Sequence, residues 1–328
     1  MDLYNIPGDD GKYWRMDKLI ECKQMVEYAD VPVIAEYSKH LNTPDEAILV
    51  AWFFSMTYSE PSAFWLLDNL DYYHMDKAYL NDFWRTYKEK IPFNSSRRYC
   101  RNMDWFVPLM SNFMAKTKRH PYRWFKSLYD ESDSPEDKYK KIYSELIRYK
   151  FMGRFSTELF MWAIDALSQY GLIPKVYAKE PPFSWKNGSN VTSGMLNLIY
   201  LDEEANLYDK TKQLNKNLEP LLDEGLEKLY ERCKYKNVQV NDYSTIIPRI
   251  CSFRNLFKAN RYMGYHQDRQ LEGMLKLSKL SNTDISSIEK LYAIRKNLYS
   301  KELLGELNDW TGIRKERKKL FLTTGRIL

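Results

Sequence analysis

Thr43–Tyr58, TPDEAILVAWFFSMTY, decides the fold class. Thr43 is a good N-cap, Pro44 suits the first helical position, and Glu46 completes a capping box. The residues after them are too apolar on every side for a helix facing water, so the pattern predicts a helix inside a core. The same grammar recurs along the chain. Ser134-Pro135-Glu136-Asp137 opens a helix through YKKIYSELIRY. STELFMWAIDALSQY at 156–170 reads as a strongly apolar helix, closed by a left-handed Gly171 with Pro174 just beyond. Residues 213–233 and 283–299 read as further amphipathic helices. PPFSWKNGSNVTSG at 181–194 reads as loop, and MLNLIY at 195–200 as a short strand. The expected fold is therefore mainly α: a multi-helix globular protein with long loops and few short strands. The polar run DESDSPED at 130–137 marks a hinge between an N-terminal helical lobe, 1–130, and a C-terminal helical lobe, 131–328, unless the two form one continuous domain.

With 328 residues the chain can bury a large core. Its 26 tyrosines exceed what that core requires, so many rings are expected at surfaces or in pockets. The cysteines at 22, 100, 233 and 251 form no CxxC pair, and the four histidines have no ligand spacing, so neither a metal nor a cofactor is expected. No apolar run approaches 18 residues and no secretory signal opens the chain. The expectation is a soluble, cytoplasmic protein without a membrane partner.

Charge is distributed unevenly. Residues 1–84 hold six basic and fifteen acidic groups, whereas 85–126 hold eleven basic and two acidic. The basic block includes Arg97, Arg98, Arg101, Lys116, Lys118, Arg119, Arg123 and Lys126. Tyr99, Trp105, Phe106, Tyr122, Trp124 and Phe125 interleave with them. Cations mixed with rings suit a polyanion whose bases can stack. Arg97, Arg98, Arg101, Lys118 and Arg119 are the expected contacts to a DNA backbone. RKERKKLF from Arg314 adds a second basic cluster, and together the two make nucleic acid the leading partner. A basic helix face that is merely solvated is the ordinary alternative.

No Walker A loop, GxGxxG, HExxH or GxSxG is present, which removes support for the enzyme classes those motifs mark. Four constellations remain. Gly153-Arg154-Phe155 starts a helix, placing a guanidinium beside free backbone N–H groups, a good place for phosphate or simply a cap for the preceding helix. Tyr58, followed by Ser59, Glu60 and Ser62, stands at the polar end of an apolar helix. Ser193-Gly194 permits close backbone approach. The fourth is PRICSFRNLFKANRYMGYHQDRQLEG, 248–273. Drawn as a helix, it puts Ile250, Phe253 and Phe257 on one stripe and Arg254, Lys258 and Arg261 on another about 75° round. Basic groups beside the buried edge suggest a cleft that receives an anion, or a helix edge that snorkels its cations. Gly264 breaks this helix, and Tyr265, His266, Asp268 and Arg269 crowd the turn after it.

Taken in order, YSEPSAFWLL at 58–67, MGRFSTELFMWAIDALSQYGL at 152–172, the Ser-x-x-x-Ser-Gly loop at 189–194 and ICSFRNLFKANRYMGYHQDR at 250–269 carry a resemblance. The chain resembles the amino acid:DNA transferases of phages, also called α-glutamyl/putrescinyl thymine pyrophosphorylases. One departure stands out: where the family pattern has an acidic residue and Thr ahead of the cysteine, this chain has Ile247-Pro248-Arg249-Ile250.

The resemblance implies double-stranded DNA carrying 5-hydroxymethyluracil activated as its pyrophosphate ester, with an amino acid or polyamine as co-substrate. The amine replaces pyrophosphate on the exocyclic methylene, in the host cytoplasm if the chain is phage-encoded. Arg154, Arg254, Lys258 and Arg261 would then bind pyrophosphate, since clustered cations stabilise the charge developing on it. Tyr58 and Tyr262 would line the base pocket. Asp268, Tyr265 and Glu158 are candidates to take the ammonium proton. Cys251 could add to C6 of the uracil, its pKa lowered by Arg254 and Lys258, or could simply pack the helix. Two further functions fit the basic block: a non-enzymatic phage DNA-binding or packaging-associated protein, and a base-flipping, glycosylase-like enzyme.

Overall fold

The computed structural model describes residues 14–21, 30–93, 103–150, 152–178, 184–188, 190–236, 246–247, 249–251, 253–254 and 265–298. Among the described residues the secondary structure is helical, with no strand. The chain divides into two compact units, one from Met1–Ala29, Lys179–His266 and Gly312–Leu328, the other from Asp30–Ala178 and Gln267–Thr311. The 130–137 run lies inside the second of these.

The larger unit holds α2 (Asp30–Ser38), α3 (Pro44–Thr57), α4 (Glu60–Asn69), α5 (Lys77–Tyr87), α6 (Phe106–Thr117), α7 (Pro121–Lys126), α8 (Pro135–Leu146), α9 (Arg154–Ser168), α13 (Tyr265–Ser278, all but its first two residues) and α14 (Ser286–Leu298). Helix α3 is its axis. Every residue from Ala47 to Thr57 is buried, and α4, α7 and α9 all pack on it. Its start follows the capping logic with one shift. Thr43 Oγ1 accepts from Glu46 N at 3.3 Å, while the Glu46 carboxylate accepts from Asn42 N at 2.7 Å, one residue earlier than an ideal box. Ser134 caps α8 by accepting from Asp137 N, and Gly171 at φ 78° turns the chain just beyond α9. Stacked ring pairs fill the core, among them Trp52 on Phe113 at 4.1 Å and Trp84 on Phe106 at 4.0 Å.

The polar residues after Tyr58 do not face solvent. Ser59, Glu60 and Ser62 are buried at the start of α4. Ser59 is the N-cap, and its hydroxyl accepts from the Ser62 hydroxyl at 2.9 Å. Glu60 accepts from Arg295 Nη1 of α14 at 2.6 Å, both side chains fully buried. The cluster fastens two helices together.

The smaller unit holds α1 (Trp14–Glu21), α10 (Asn190–Leu198), α11 (Asp202–Thr211) and α12 (Glu219–Tyr235), with helical residues again at 246–247, 249–251 and 253–254. Two sequence expectations are corrected here. Asn190–Gly194, expected as loop, opens α10, and MLNLI, expected as strand, continues it through Leu198 before a turn. Hydrophobic burial on all sides suits a short core helix as well as a short core strand, and the neighbours decide between them. Likewise Tyr265–Arg269, expected as a turn, form the first turn of α13. No helix of the described residues is long and apolar enough to cross a membrane.

Candidate functional site

In the larger unit, α9 begins at Arg154 behind an extended Gly153 whose backbone has φ −74° and ψ 170°. One turn on, Glu158 is almost wholly buried, and its carboxylate lies 3.4 Å from Arg154 Nε. This i, i+4 pair leaves the Arg154 side chain about a third exposed (31%) and the carboxylate inside. Helix α3 ends at Tyr58, held in the left-handed region at φ 48°, a conformation uncommon for a non-glycine residue. That backbone puts the Tyr58 ring edge-on to Phe155 at 5.4 Å, and Phe155 is edge-on in turn to Trp162 at 6.1 Å. Two segments almost 100 residues apart thus meet at Phe155, the residue that follows Arg154 in sequence.

Tyr143 of α8 joins this group, and sequence reasoning missed it. Burial pushes its phenol well above the ordinary range, the nearby Glu158 charge pushes further, and Arg154 opposes both. In sequence, Tyr139 and Tyr143 look like one more apolar stripe on an amphipathic helix, and nothing there signals a neighbour on α9.

In the smaller unit, Gly194 lies against the 249–254 segment. A Cβ at Gly194 would stand 2.5 Å from the Ile250 carbonyl oxygen and 2.8 Å from its Cγ2. The close approach expected of Ser193-Gly194 is therefore made by the chain's own backbone. Ser193 donates to Asp209 at 2.9 Å, and the same carboxylate faces Arg254 at 3.2 Å and Lys212 at 3.6 Å. Cys251, not in a disulfide, is partly buried on this segment. Phe253 and Ile250 are buried as the apolar stripe requires. Gly194→Ala is expected to destabilise this unit by about 1–3 kcal/mol, because backbone cannot yield as a side chain end would. Gly153→Ala, where a Cβ meets nothing within 4 Å, is the control and should cost less than about 1 kcal/mol. Urea unfolding of the two variants decides it: equal midpoints would mean the Gly194 approach is not tight.

Lys258, Arg261, Tyr262, Arg97, Arg98 and Arg101, with Phe257, Gly264 and the Arg314 cluster, lie outside the described residues, as do the side chains of Tyr265 and Asp268. Of the described basic block, Arg119 donates to the Tyr73 and Met75 carbonyls at 2.8 and 3.0 Å, holding the turn before α5. Lys118 is exposed at φ 49°. Phe106, Trp124 and Phe125, expected as stacking rings for bases, are core residues instead. Alternation with cations places them on the inner face of short helices, where the rings go inward and the charges outward. A cavity of about 420 Å³ also opens in the larger unit, lined by Tyr37, Glu46, Asp68, Asp71, Tyr72 and Lys290 among others. It takes in none of the residues expected from sequence. Among the described residues no group of three or more His, Cys, Asp or Glu side chains could hold a metal ion.

Compared with known proteins, the chain matches no family, no curated sequence and no solved structure.

Proposed function

We propose that the chain is a DNA base-modifying transferase, in which an amino acid or polyamine displaces pyrophosphate from 5-pyrophosphoryloxymethyluracil in double-stranded DNA. One observation carries this reading. The segments that resemble the phage transferases pair with one another inside each unit: 58–67 meets 152–172 at Tyr58–Phe155, and 189–194 meets 250–269 at Gly194–Ile250.

The amine nitrogen forms a bond to the exocyclic methylene, the methylene–oxygen bond breaks, and its electron pair leaves on pyrophosphate. The ammonium so formed gives a proton to a carboxylate. Glu158 takes that role in the larger unit, oriented by Arg154. Arg154, at the free N–H groups of a helix start, offers donors to the leaving oxygens. Cys251 is the alternative entry through addition at C6, with Arg254 beside it in sequence.

The deciding assay mixes the purified protein with DNA carrying the activated base and with amino acids or putrescine. Release of pyrophosphate and a mass gain on the nucleoside equal to the amine are expected. Abasic sites in place of that product would support a glycosylase, and DNA binding with no turnover on any amine would leave a binding protein.

A further inference from the structure

Five of the buried or part-buried arginines of this fold face carboxylates. Arg15 faces Asp202, Arg154 faces Glu158, Arg232 faces Asp17, Arg254 faces Asp209 and Arg295 faces Glu60. Arg249 does not follow the pattern. It is 5% exposed, and no carboxylate among the described residues pairs with it. Its Nε and Nη1 are both buried without a hydrogen bond. The neighbouring titratable group is the Cys233 thiol of α12, itself 1% exposed. Burial pushes that thiol up to about 11, so it stays protonated near neutrality and supplies no counter-charge. The same burial pulls Arg249 below its ordinary value.

A buried guanidinium without an anion is a standing cost, of the kind proteins keep when a ligand supplies the missing charge. The backbone bearing Arg249 is fixed in place. Ile250 is seated against Gly194, and Arg254, one turn on, is held by Asp209. Those contacts also commit Arg254 to an internal carboxylate, whereas Arg249 has none to give up among the described residues. We propose that Arg249 is the receiving cation of a phosphoryl-anion site in the smaller unit. That its natural ligand is pyrophosphate, the product of that reaction, rests on the transferase reading above. A planar fork of N–H donors suits two oxygens of one phosphoryl group, which a point charge would not select.

Thermal unfolding of the full chain tests the site with neither DNA nor amine present. Wild type, Arg249→Met and Arg249→Lys are each measured alone and with inorganic pyrophosphate, orthophosphate or acetate at matched ionic strength. Pyrophosphate at about five times its Kd should raise the wild-type Tm by roughly 2–4 °C, orthophosphate should raise it less, and acetate should leave it unchanged. Arg249→Met removes an uncompensated buried charge, so its unliganded Tm should equal or exceed that of wild type. It should also lose the pyrophosphate response, while Arg249→Lys keeps part of it.

The site is overturned if the wild type ignores pyrophosphate, if Arg249→Met still responds, or if acetate matches pyrophosphate. It is overturned equally if unliganded Arg249→Met unfolds several degrees below wild type, since the chain itself would then supply the anion. An Arg249-dependent response without amine transfer keeps the site and removes the transferase reading. Amine transfer without that response does the reverse.

Discussion

Arg295→Met is expected to lower the unfolding free energy of the larger unit by about 3–5 kcal/mol. Glu60 sits at the first turn of α4 and Arg295 on α14, joined at 2.6 Å with neither side chain exposed. Removing the cation takes the 2.6 Å counter-charge from a carboxylate in a low-dielectric interior, and that loss of charge balance, more than the lost bond, sets the size of the effect. Glu60→Gln should cost a comparable amount by taking the same counter-charge from the guanidinium. The double variant Glu60→Leu/Arg295→Met removes both charges and should recover most of the loss, because a buried pair contributes little net stability over an apolar replacement. A double-mutant cycle in urea measures the coupling directly. Single variants within about 1 kcal/mol of wild type would show that water reaches the pair.

On the proposed transferase reading, the second large effect falls on catalysis. Arg154→Ala is expected to lower the single-turnover rate of amine transfer by roughly 10²–10³, the range for losing one transition-state donor. DNA affinity should change far less, since a donor to the leaving group acts on charge that develops only during the reaction. The Arg154 side chain is partly exposed and its partner Glu158 lies one turn along the same helix, so the variant should fold. Glu158→Gln keeps the shape but not the base, and should lose rate with a changed pH profile. Single-turnover conditions are needed, because slow product release would conceal the chemical step. Rates within a few-fold of wild type for both variants would remove the α9 start from the reaction.

Much of the fold was readable along the chain. Thr43 and Ser134 begin helices where their local chemistry says they should, and Gly171 takes the left-handed turn expected of it, three residues past the end of α9. Such signals survive folding because caps and left-handed turns are satisfied within four or five residues. Readings failed where they rested only on apolar content or polarity. MLNL became helix, Phe106, Trp124 and Phe125 of the basic block became core, and Ser59-Glu60-Ser62 became an interior junction. In each case the deciding partner lies far off in sequence.

The candidate site divides the same way. Arg154 and Glu158 were named from sequence as separate candidates, a cation for the anion and an acceptor for the proton, and their i, i+4 pairing came from the structure. Tyr143 beside them, Asp209 beneath Arg254 and the unmatched Arg249 were not legible. By itself the sequence determined the helical class and the helix starts, both set by short-range hydrogen bonding and side-chain periodicity. Only the tertiary structure decided which polar groups were buried and which of those received a counter-charge. Desolvation depends on what every other element contributes around a group, and no stretch of chain carries that information alone.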